Sequence, residues 1–316
     1  MRYLIQAVAL AALLVAAPVA ASADEHKAQM AVLVTGASSG IGRNITERLA
    51  SEGYLVFAGA RKDADLAELD AIDNVRAVRL DVTSQEDIDA AVETVTQEGK
   101  GLYGLINNAG VAVVGPLSQT PDSNVDFVFN VNVAGVVRVT RAFAPMIIES
   151  KGRIMTTGSI SGILSSPTLG VYSMSKHAVE AYTDSLAAEM AQHGVSVSVI
   201  EPGNYKSQIR RTTVQRTQKQ MEAAGVELTE EQRARFEGTA EREVSLKEPD
   251  EVSDAFMHAL FSDEPKRRYM VVPNEDEADR TIRKAIEELV QLNEWQAYSF
   301  NRDELVKMLD EALSNQ

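Results

Sequence analysis

Short runs of β-branched and other apolar residues alternate with helical patterns from residue 31 to residue 272. An alternation of this kind predicts a parallel sheet whose faces are covered by the connecting helices. The chain shows no internal repeat and no Pro-rich or Gly-rich linker. We therefore expect one α/β domain over residues 30–274, built on a doubly wound parallel sheet of about seven strands. The predicted strands are residues 31–35, 54–58, 75–80, 105–106, 153–157, 195–200 and 269–272.

Capping patterns predict where several helices begin. Thr83 and Glu86 form a capping-box pattern for the helix that runs to about residue 98. Thr120 followed by Pro121 predicts an N-cap and a proline in the first turn of a helical region that reaches residue 150. Other helices are predicted over residues 41–52 and 171–192.

Two regions depart from this alternation. Residues 206–247 are polar and helical in pattern, and we interpret them as a lid over a site. Residues 275–316 form a helical C-terminal extension, in which Asn301 and Glu304 make a capping box for the last helix. We expect the extension to dock onto its own core or onto a second subunit, which would make a homo-oligomer. Its apolar stripe comprises Ile282, Ala285, Ile286, Leu289, Val290, Leu305, Met308, Leu309 and Leu313.

The first 23 residues form a separate unit. Arg2 gives a positive start, residues 4–19 are apolar apart from Gln6, and residues 21–23 offer small side chains for cleavage. This pattern is typical of a secretory signal peptide, because the apolar run is shorter than the roughly 20 residues of a spanning helix. We expect export, to the periplasm or the medium. An uncleaved membrane anchor and a cytoplasmic protein translated from Met30 stay open as alternatives.

Charge and composition exclude several kinds of partner. The formal net charge is −15, from 31 basic and 46 acidic residues, which argues against nucleic acid. The chain has no cysteine, so disulfides and thiolate chemistry are excluded. The four histidines, at positions 26, 177, 193 and 258, lack metal-ligand spacing, so we expect no metal. A small molecule is the expected ligand.

A glycine-rich turn follows the first predicted strand. Residues 35–42 read Thr-Gly-Ala-Ser-Ser-Gly-Ile-Gly and lead into a helix. Glycines at such a place permit a tight turn and let the backbone approach a pyrophosphate, which the helix N-terminus attracts. The spacing of Gly36, Gly40 and Gly42 differs from G-x-G-x-x-G, yet its position directly after a strand favours dinucleotide binding over a purely structural turn.

Tyr172 and Lys176 lie one helical turn apart in the helix predicted over residues 171–192. A phenol titrates near pH ~10 in water, and a neighbouring cation favours its ionised form. The pair therefore suits a proton donor or acceptor that works near neutral pH. Many helices show this spacing by chance, so the functional interpretation of the pair depends on the glycine-rich turn upstream.

With these motifs the chain resembles the short-chain dehydrogenase/reductase family over about residues 31–274. The resemblance also covers Asn107-Asn108-Ala109-Gly110 after the fourth strand and Pro202-Gly203 after the sixth. It implies a Rossmann-type fold and a catalytic set of Asn132, Ser159, Tyr172 and Lys176. Taken singly, Ser159 and Asn132 fit structural roles equally well; beside the tyrosine and lysine they favour a catalytic interpretation.

The resemblance implies a role for each of these side chains. Tyr172 would protonate a carbonyl oxygen during reduction, or accept the hydroxyl proton during oxidation. Lys176 would lower the pKa of Tyr172 and hold the nicotinamide ribose. Ser159 would hydrogen-bond the substrate oxygen, and Asn132 would bind a water that connects the lysine to solvent. The hydride itself belongs to the cofactor.

The tip of the second strand predicts which nicotinamide cofactor binds. An acidic residue there would bind the 2′-hydroxyl of NAD, whereas an arginine accommodates the 2′-phosphate of NADP. Arg61 and Lys62 come first, and Asp63 starts the next helix, so we expect NADP, with NAD less favoured. The predicted cofactor-binding residues are Gly36, Ser38, Ser39, Gly40, Ile41, Gly42, Arg61, Asp81, Val82, Asn108, Ala109, Gly110, Tyr172, Lys176, Pro202, Gly203 and Ser207.

The sequence thus predicts an NADP-dependent alcohol dehydrogenase or ketone reductase. The stretches around Glu201-Pro202-Gly203 and residues 105–110 resemble the hydroxysteroid and retinol dehydrogenase branch of the family, which implies an apolar substrate. Two alternatives stay open. A nucleotide-sugar epimerase or dehydratase uses the same tyrosine and lysine, although the glycine spacing argues against it. A cofactor-binding sensor or scaffold would not need all four catalytic side chains.

Overall fold

A computed structural model describes residues 30–223 and 245–314, together with scattered positions between 225 and 243. The predicted leader, residues 1–23, and part of the predicted lid, residues 206–247, lie outside the described residues. Within the described chain, seven parallel strands form one sheet in the order β3-β2-β1-β4-β5-β6-β7. The strands are β1 (Val32–Thr35), β2 (Val56–Ala60), β3 (Val75–Arg79), β4 (Gly104–Asn107), β5 (Arg153–Thr157), β6 (Ser196–Pro202) and β7 (Arg268–Val271).

Helices connect the strands and cover both faces of the sheet. In chain order they are α1 (Gly40–Ser51), α2 (Asp63–Asp70), α3 (Gln85–Glu98), α4 (Asp122–Phe129), α5 (Val136–Glu149), α6 (Gly170–Met190), α7 (Ile209–Ala223), α8 (Asp250–Phe261), α9 (Glu275–Glu294) and α10 (Arg302–Ser314). This is the predicted doubly wound α/β architecture.

The sheet has a switch point between β1 and β4. Thr35 of β1 pairs with Gly59 of β2 on one side, and Val34 pairs with Ile106 of β4 on the other. The chain builds outward from β1 in both directions, so the connections after β1 and β4 leave the sheet on opposite faces. In parallel α/β sheets such a point opens a crevice at the carboxyl ends of the strands, where ligands bind.

The core consists of two apolar layers, because successive strand residues point to opposite faces. Leu33 lies in the layer that includes Phe143 of α5 and Leu186 of α6. Val34, the next residue, lies in the layer that includes Ile45 of α1 and Phe256 of α8. Both faces of the sheet are therefore buried, and the crevice at the strand ends is the part of the sheet left for a ligand.

The helical stretch Asp122–Glu149 contains a π-helical segment, Asn130–Gly135, between α4 and α5. The whole stretch Asp122–Glu149 has a length and a mean hydropathy of 1.4 that would suit a membrane-spanning helix. However, α5 buries its apolar face, including Val139, against the sheet. Apolar composition here is that of a core helix. π-helical turns occur frequently at functional sites, and this one contains Asn132.

Several predicted boundaries differ from the observed ones. Thr83 is not the cap of α3: its hydroxyl donates to Asp81 Oδ1 (2.7 Å), and Ser84 accepts the Asp87 N–H at the helix start (3.2 Å). Pro121, not Thr120, occupies the N-cap of α4. Strand β2 begins at Val56 rather than residue 54, and the Tyr54 ring before it stacks on Phe261.

The C-terminal extension contains two helices, α9 and α10. Its predicted capping box is confirmed: the Asn301 side chain accepts the Glu304 N–H (3.1 Å), and the Glu304 carboxylate accepts the Asn301 N–H (2.8 Å). The apolar stripe does not pack onto the described core, since Leu289 is 51 % exposed and Leu309 58 %. Association of this stripe with a second copy stays a prediction.

Candidate active site

The glycine-rich turn passes directly over the end of β4. A Cβ atom at Gly36, where φ is +66°, would lie 2.9 Å from the Ala109 Cα. A Cβ at Gly42 would lie 2.3 Å from the Gly36 carbonyl oxygen. Helix α1 begins at Gly40 with no acidic residue in its first turn, and the Ser39 side chain does not cap it. The turn therefore offers the close backbone approach and the positive helix end that suit a pyrophosphate.

Thr35 and Asn108 tie together the ends of three strands. The Thr35 hydroxyl oxygen accepts the N–H groups of Asn108 (2.9 Å) and Ala109 (3.0 Å). The Asn108 amide donates to the carbonyl oxygens of Thr35 (3.1 Å) and Gly36 (3.2 Å), and its oxygen accepts the Thr157 hydroxyl (3.2 Å). These bonds hold the ends of β1, β4 and β5 at fixed positions around the crevice.

Arg61 and Asp81 lie together at the β2–β3 side of the crevice. The Arg61 guanidinium is 3.5 Å from the Asp81 carboxylate, and the arginine side chain is 63 % exposed. Burial works to raise the pKa of Asp81, but hydrogen bonds from Thr83 and the charge of Arg61 outweigh it and hold that pKa below its usual value. The exposed guanidinium is free to meet a further anion without leaving Asp81.

Tyr172, Ser159 and Lys176 converge at the ends of β5 and α6. The Ser159 hydroxyl lies close enough to the Tyr172 hydroxyl to lower the pKa of the tyrosine against the effect of burial. The Ser159 oxygen also accepts the Ser161 N–H (3.1 Å), which orients it at the end of β5. The Lys176 ammonium donates to the Thr157 carbonyl (2.7 Å) and lies 5.6 Å from the centroid of the Tyr172 ring.

Burial controls how Tyr172 and Lys176 titrate. It raises the pKa of Tyr172, while the Ser159 hydrogen bond and the charge of Arg210 act in the opposite direction. The net pKa of Tyr172 is therefore raised, because burial outweighs these two effects; the expected effect of Lys176 on the tyrosine stays a prediction. Burial also lowers the pKa of Lys176 to about 8, and the Glu180 carboxylate opposes that change.

Asn132 lies in the π-helical segment, with only 1 % of its surface exposed. Its side-chain oxygen accepts the Val111 N–H (2.9 Å), and its amide donates to the Val111 carbonyl (2.9 Å) and the Ser175 hydroxyl (3.0 Å). Ser175 in turn donates to the Tyr172 carbonyl (2.7 Å). The asparagine thus links the segment after β4 to the helix that carries the tyrosine and lysine.

The other predicted cofactor residues line the same crevice. Gly110 follows the β4 end, and a Cβ there would lie 3.6 Å from the Asn132 oxygen. Val82 packs against Gly135 of the π-helical segment. Ser207 lies against the glycine turn, since a Cβ at Gly40 would be 3.1 Å from the Ser207 Cβ. The remaining residues of the set lie in the turn and first helical turn of α1 (Ser38, Ser39, Ile41) and at the end of β6 (Pro202, Gly203).

Helix α7, the described part of the predicted lid, lies across the segment after β4 and across α4. The Thr213 hydroxyl is 3.2 Å from the Ala112 carbonyl, and the Gln220 amide donates to the Asn124 side chain (2.9 Å). The Arg216 guanidinium stacks on the Phe127 ring at 3.3 Å. These contacts place α7 beside the crevice.

Three positioning residues, Thr35, Thr157 and Ser175, were not predicted from the sequence. Each makes a hydrogen bond to a predicted site residue. A hydroxyl at the end of a predicted strand was the available signal for the two threonines, since strand ends meet at one edge of a parallel sheet. Among the described residues, no group of three or more His, Asp or Glu side chains is arranged to hold a metal ion.

Comparison with protein families gives one match over most of the fold. The family model described as short chain dehydrogenase matches residues 30–219. Mitochondrial D-beta-hydroxybutyrate dehydrogenase of Rattus norvegicus is 40 % identical over 185 residues, which cover 55 % of this chain and 54 % of the relative. The match thus spans about half the length of that relative.

Two further relatives are matched over most of their length. Retinol dehydrogenase 7 of Rattus norvegicus is 32 % identical over 260 residues, covering 77 % of this chain and 81 % of the relative. A crystal structure of a short chain dehydrogenase/reductase from Burkholderia phymatum in complex with NAD superposes with a TM-score of 0.71 and 26 % identity. It covers 86 % of this chain and 98 % of the solved chain.

Proposed function

Because the chain belongs to the short-chain dehydrogenase family of NAD(P)-dependent oxidoreductases acting on CH–OH groups, we propose that it interconverts an alcohol and a ketone with NADP(H), using Tyr172 as acid and base. The observation that carries this proposal is the convergence of Tyr172, Ser159 and Lys176 beside the glycine turn. A proton-transfer group and a cofactor cradle then share one crevice.

The chain's own residues can guide the proton. The Tyr172 hydroxyl gives its proton to the carbonyl oxygen in reduction and takes it from the hydroxyl in oxidation. Ser159, whose hydroxyl lies near that of Tyr172, donates to the substrate oxygen and fixes its position. Lys176 holds its ammonium near the phenol ring, 5.6 Å from its centroid, where its charge favours the tyrosinate that forms. Fixed donors of this kind stabilise charge as it develops.

The crevice fits a dinucleotide. A Cβ at Gly36 would meet the Ala109 backbone, and one at Gly42 would meet the Gly36 carbonyl. The glycines therefore let the turn pack tightly against the end of β4 and lead into the α1 N-terminus, where a pyrophosphate would bind. When bound, the nicotinamide cofactor supplies the hydride. Lys176 would hold the nicotinamide ribose, and Asn132 would bind the water that connects Lys176 to solvent. Asp81, Val82 and Ser207 would contact the adenine and carboxamide ends.

We expect NADP to be preferred over NAD. Arg61 presents an exposed guanidinium at the β2 tip, and bidentate contact with phosphate is the geometry that arginine favours. The solved Burkholderia relative is in complex with NAD, so family membership alone does not decide the cofactor. Initial rates with NADPH and NADH at matched concentrations separate the two.

For the substrate we favour an apolar alcohol or ketone. Val114 and Leu117, in the segment that connects β4 to α4, expose 44 % and 50 % of their surfaces. That segment is tied to the loop before α6 by the Gly115 N–H, which donates to Thr168 (3.0 Å). Leu117 also lies against Gly170 at the start of the helix that carries Tyr172, and an apolar substrate would cover such apolar side chains. The match to a retinol dehydrogenase points the same way.

A hydroxy acid is the second candidate substrate. Arg210 of α7 places a positive charge close enough to Tyr172 to oppose the rise of its pKa on burial, and such a cation could hold a substrate carboxylate. The match to a hydroxybutyrate dehydrogenase supports this alternative. Replacing Arg210 by Met should leave reduction of apolar ketones intact and should raise KM for a keto acid.

The test of the proposed function is a cofactor-coupled screen of apolar ketones and keto acids with protein that starts at residue 24. Oxidation of NADPH with at least one of these classes supports the proposal. Tight cofactor binding without turnover of either class would favour a sensor or scaffold instead.

We further propose that residues 1–23 direct export and are then removed. The support is the positive start, the short apolar run and the small residues at 21–23. Sequencing the N-terminus of protein recovered from native cells distinguishes the three alternatives: Asp24 indicates cleavage, Met1 an anchor, and Met30 an internal start with a cytoplasmic location.

A further inference from the structure

The face of α6 that carries the tyrosine and lysine continues as a row of charged side chains. Tyr172, Lys176, Glu180 and Asp184 follow one another at intervals of four residues, so all four share one helix face. The proposed function uses the first two and gives no role to Glu180, which comes one turn beyond the lysine.

Glu180 meets a second glutamate inside the protein. Glu201, at the end of β6, is 2 % exposed, and the charge of Glu180 acts on its carboxyl group. Arg268 of β7 is shared between them: its Nε atom is 3.1 Å from Glu180 Oε2 and 3.7 Å from Glu201 Oε1. The same guanidinium also pairs with Asp184 (2.8 Å). One arginine therefore forms ion pairs with three carboxyl groups.

One carboxylate oxygen of each glutamate lacks a hydrogen-bond donor among the described residues. Glu180 Oε1 and Glu201 Oε1 are both buried and accept no hydrogen bond within the described part of the chain. Two ionised carboxylates that share one guanidinium repel each other. A buried acceptor without a donor also costs free energy. A proton on one carboxyl group removes both problems, because it supplies the donor and cancels one charge.

This carboxyl pair lies directly behind the catalytic segment. A Cβ at Gly158 would be 3.1 Å from Glu180 Oε1, and a Cβ at Gly162 would be 3.0 Å from it. These glycines flank Ser159, so Glu180 packs against the backbone that positions the serine. Since Glu180 is also one turn from Lys176, any change in the charge of the pair acts on both catalytic groups.

We propose that Glu180 and Glu201 hold one proton between them near neutral pH and present a single negative charge to Lys176, which keeps its ammonium charged. The proposal rests on the proposed function only in assigning Lys176 to catalysis. It makes Glu180 and Glu201 positioning residues: they act through the lysine and touch neither substrate nor cofactor.

The directions of titration agree with this arrangement. Burial and the neighbouring Glu180 raise the pKa of Glu201 to about 8, while the charge of Glu180 opposes the lowering of the Lys176 pKa by burial. The other charged groups that face the pair are Asp184 on α6 and Arg268 on β7, with Arg267 3.6 Å from Asp184. The single positive charge of Arg268 reduces the repulsion between Glu180 and Glu201, but it cannot neutralise these two carboxylates and Asp184 together.

The protonated carboxyl group can be observed directly by infrared difference spectroscopy, without any substrate. Wild-type protein at pH 7 should show the carbonyl band of a buried, protonated carboxylic acid, which disappears as the pH rises through about 8. The band should be absent in the Glu201→Gln variant. A wild-type spectrum without this band at pH 7 would overturn the proposal, whatever the enzyme's substrate proves to be.

The effect on Lys176 is tested by the pH profile of NADPH-linked turnover. Glu180→Gln removes the negative charge beside the ammonium, so the alkaline limit of activity should move to lower pH by about 0.5 to 1 unit. Glu180→Asp keeps the charge and should restore much of the wild-type profile. Glu189→Gln is the matched control, because Glu189 is an exposed residue further along α6.

An unshifted profile in folded Glu180→Gln protein would contradict the coupling to Lys176. Thermal unfolding establishes that each variant is folded. If wild-type protein turns over no tested substrate, the proposed function fails, but the infrared experiment still decides whether the carboxyl pair holds its proton.

Discussion

Arg61 is the exposed side chain on which the proposed preference for NADP depends. Its guanidinium pairs with Asp81 at 3.5 Å and otherwise faces solvent at the end of β2. An arginine paired at this distance gains little from the surface pair and has donors left for a phosphate.

Replacing Arg61 by Ala should weaken NADPH binding about 10- to 100-fold, because charge-assisted hydrogen bonds to the 2′-phosphate are lost. NADH binding should stay within a factor of about two, since that phosphate is absent. Titration of cofactor fluorescence measures both. Arg76→Ala is the matched control: Arg76 is an exposed arginine of β3 that pairs with Glu98. Equal losses for the two cofactors would remove Arg61 from the specificity argument.

Gly42 is the residue of the turn where a side chain is least tolerable. A Cβ would lie 2.3 Å from the Gly36 carbonyl and 2.4 Å from the Asn108 amide, and neither neighbour can move without breaking the bonds between β1 and β4. Gly42→Ala should therefore destabilise the fold by about 1–3 kcal/mol and abolish cofactor binding. Gly115→Ala, whose nearest neighbour is 3.9 Å away, should change neither. Chemical denaturation with and without NADPH gives the comparison.

At the scale of elements, helix α9 fastens the loop that follows β6. The Glu277 carboxylate accepts the backbone N–H of Asn204 (2.9 Å) and its side-chain amide (2.7 Å). A Cβ at Gly203 would lie 2.2 Å from Glu277 Oε2, so the glycine is what allows the carboxylate to come so close. The C-terminal extension thus helps to shape the cofactor side of the crevice.

Glu277→Ala should lower the free energy of unfolding by about 1–3 kcal/mol, because it leaves the part-buried donors of Asn204 without this acceptor. It should also loosen cofactor binding, since the segment from Gly203 loses its fastening. Asp276→Ala, an exposed neighbour in the same helical turn, serves as the control and should be nearly neutral. Protection of the Asn204 amide in hydrogen exchange reports the contact itself, and unchanged protection in Glu277→Ala would refute it.

The elements could be predicted from sequence where a local signal existed. Alternating strands and helices gave the parallel sheet, and the Asn301–Glu304 capping box is present as predicted. A predicted cap was wrong where another hydrogen-bond partner was available. Thr83 has the sequence pattern of an N-cap, but its hydroxyl donates to Asp81 instead. The site residues were recognisable by motif, whereas the meeting of Glu180 and Glu201 was not, because it depends on how α6 lies on β6.

At the scale of the whole molecule, Glu201 should make stability depend on pH. Its pKa is raised to about 8 in the folded protein, against about 4.3 for an unperturbed glutamate. Between these values the folded state binds the extra proton, so this contribution is fully present below about pH 4.3 and is lost as the pH rises to about 8.

The Glu201→Gln variant should lack that contribution, since its amide does not titrate. The difference in unfolding free energy between wild type and variant should therefore shift against the wild type as the pH rises from 5 to 8, and should level off above that. Urea denaturation at several pH values measures it. Glu189→Gln, the exposed control, should give a difference that barely changes with pH. A constant difference for Glu201→Gln would show that Glu201 is ionised throughout.

The central claim is that Tyr172 moves the proton while the glycine turn holds the cofactor, and Tyr172→Phe separates these roles most directly. The variant removes one hydroxyl and keeps the ring beside Lys176. Turnover of the best substrate with NADPH should fall by at least about 10²-fold, while the dissociation constant for NADPH should stay within about threefold of the wild type. Turnover at the wild-type rate in Tyr172→Phe would contradict the assignment of Tyr172 as the acid and base.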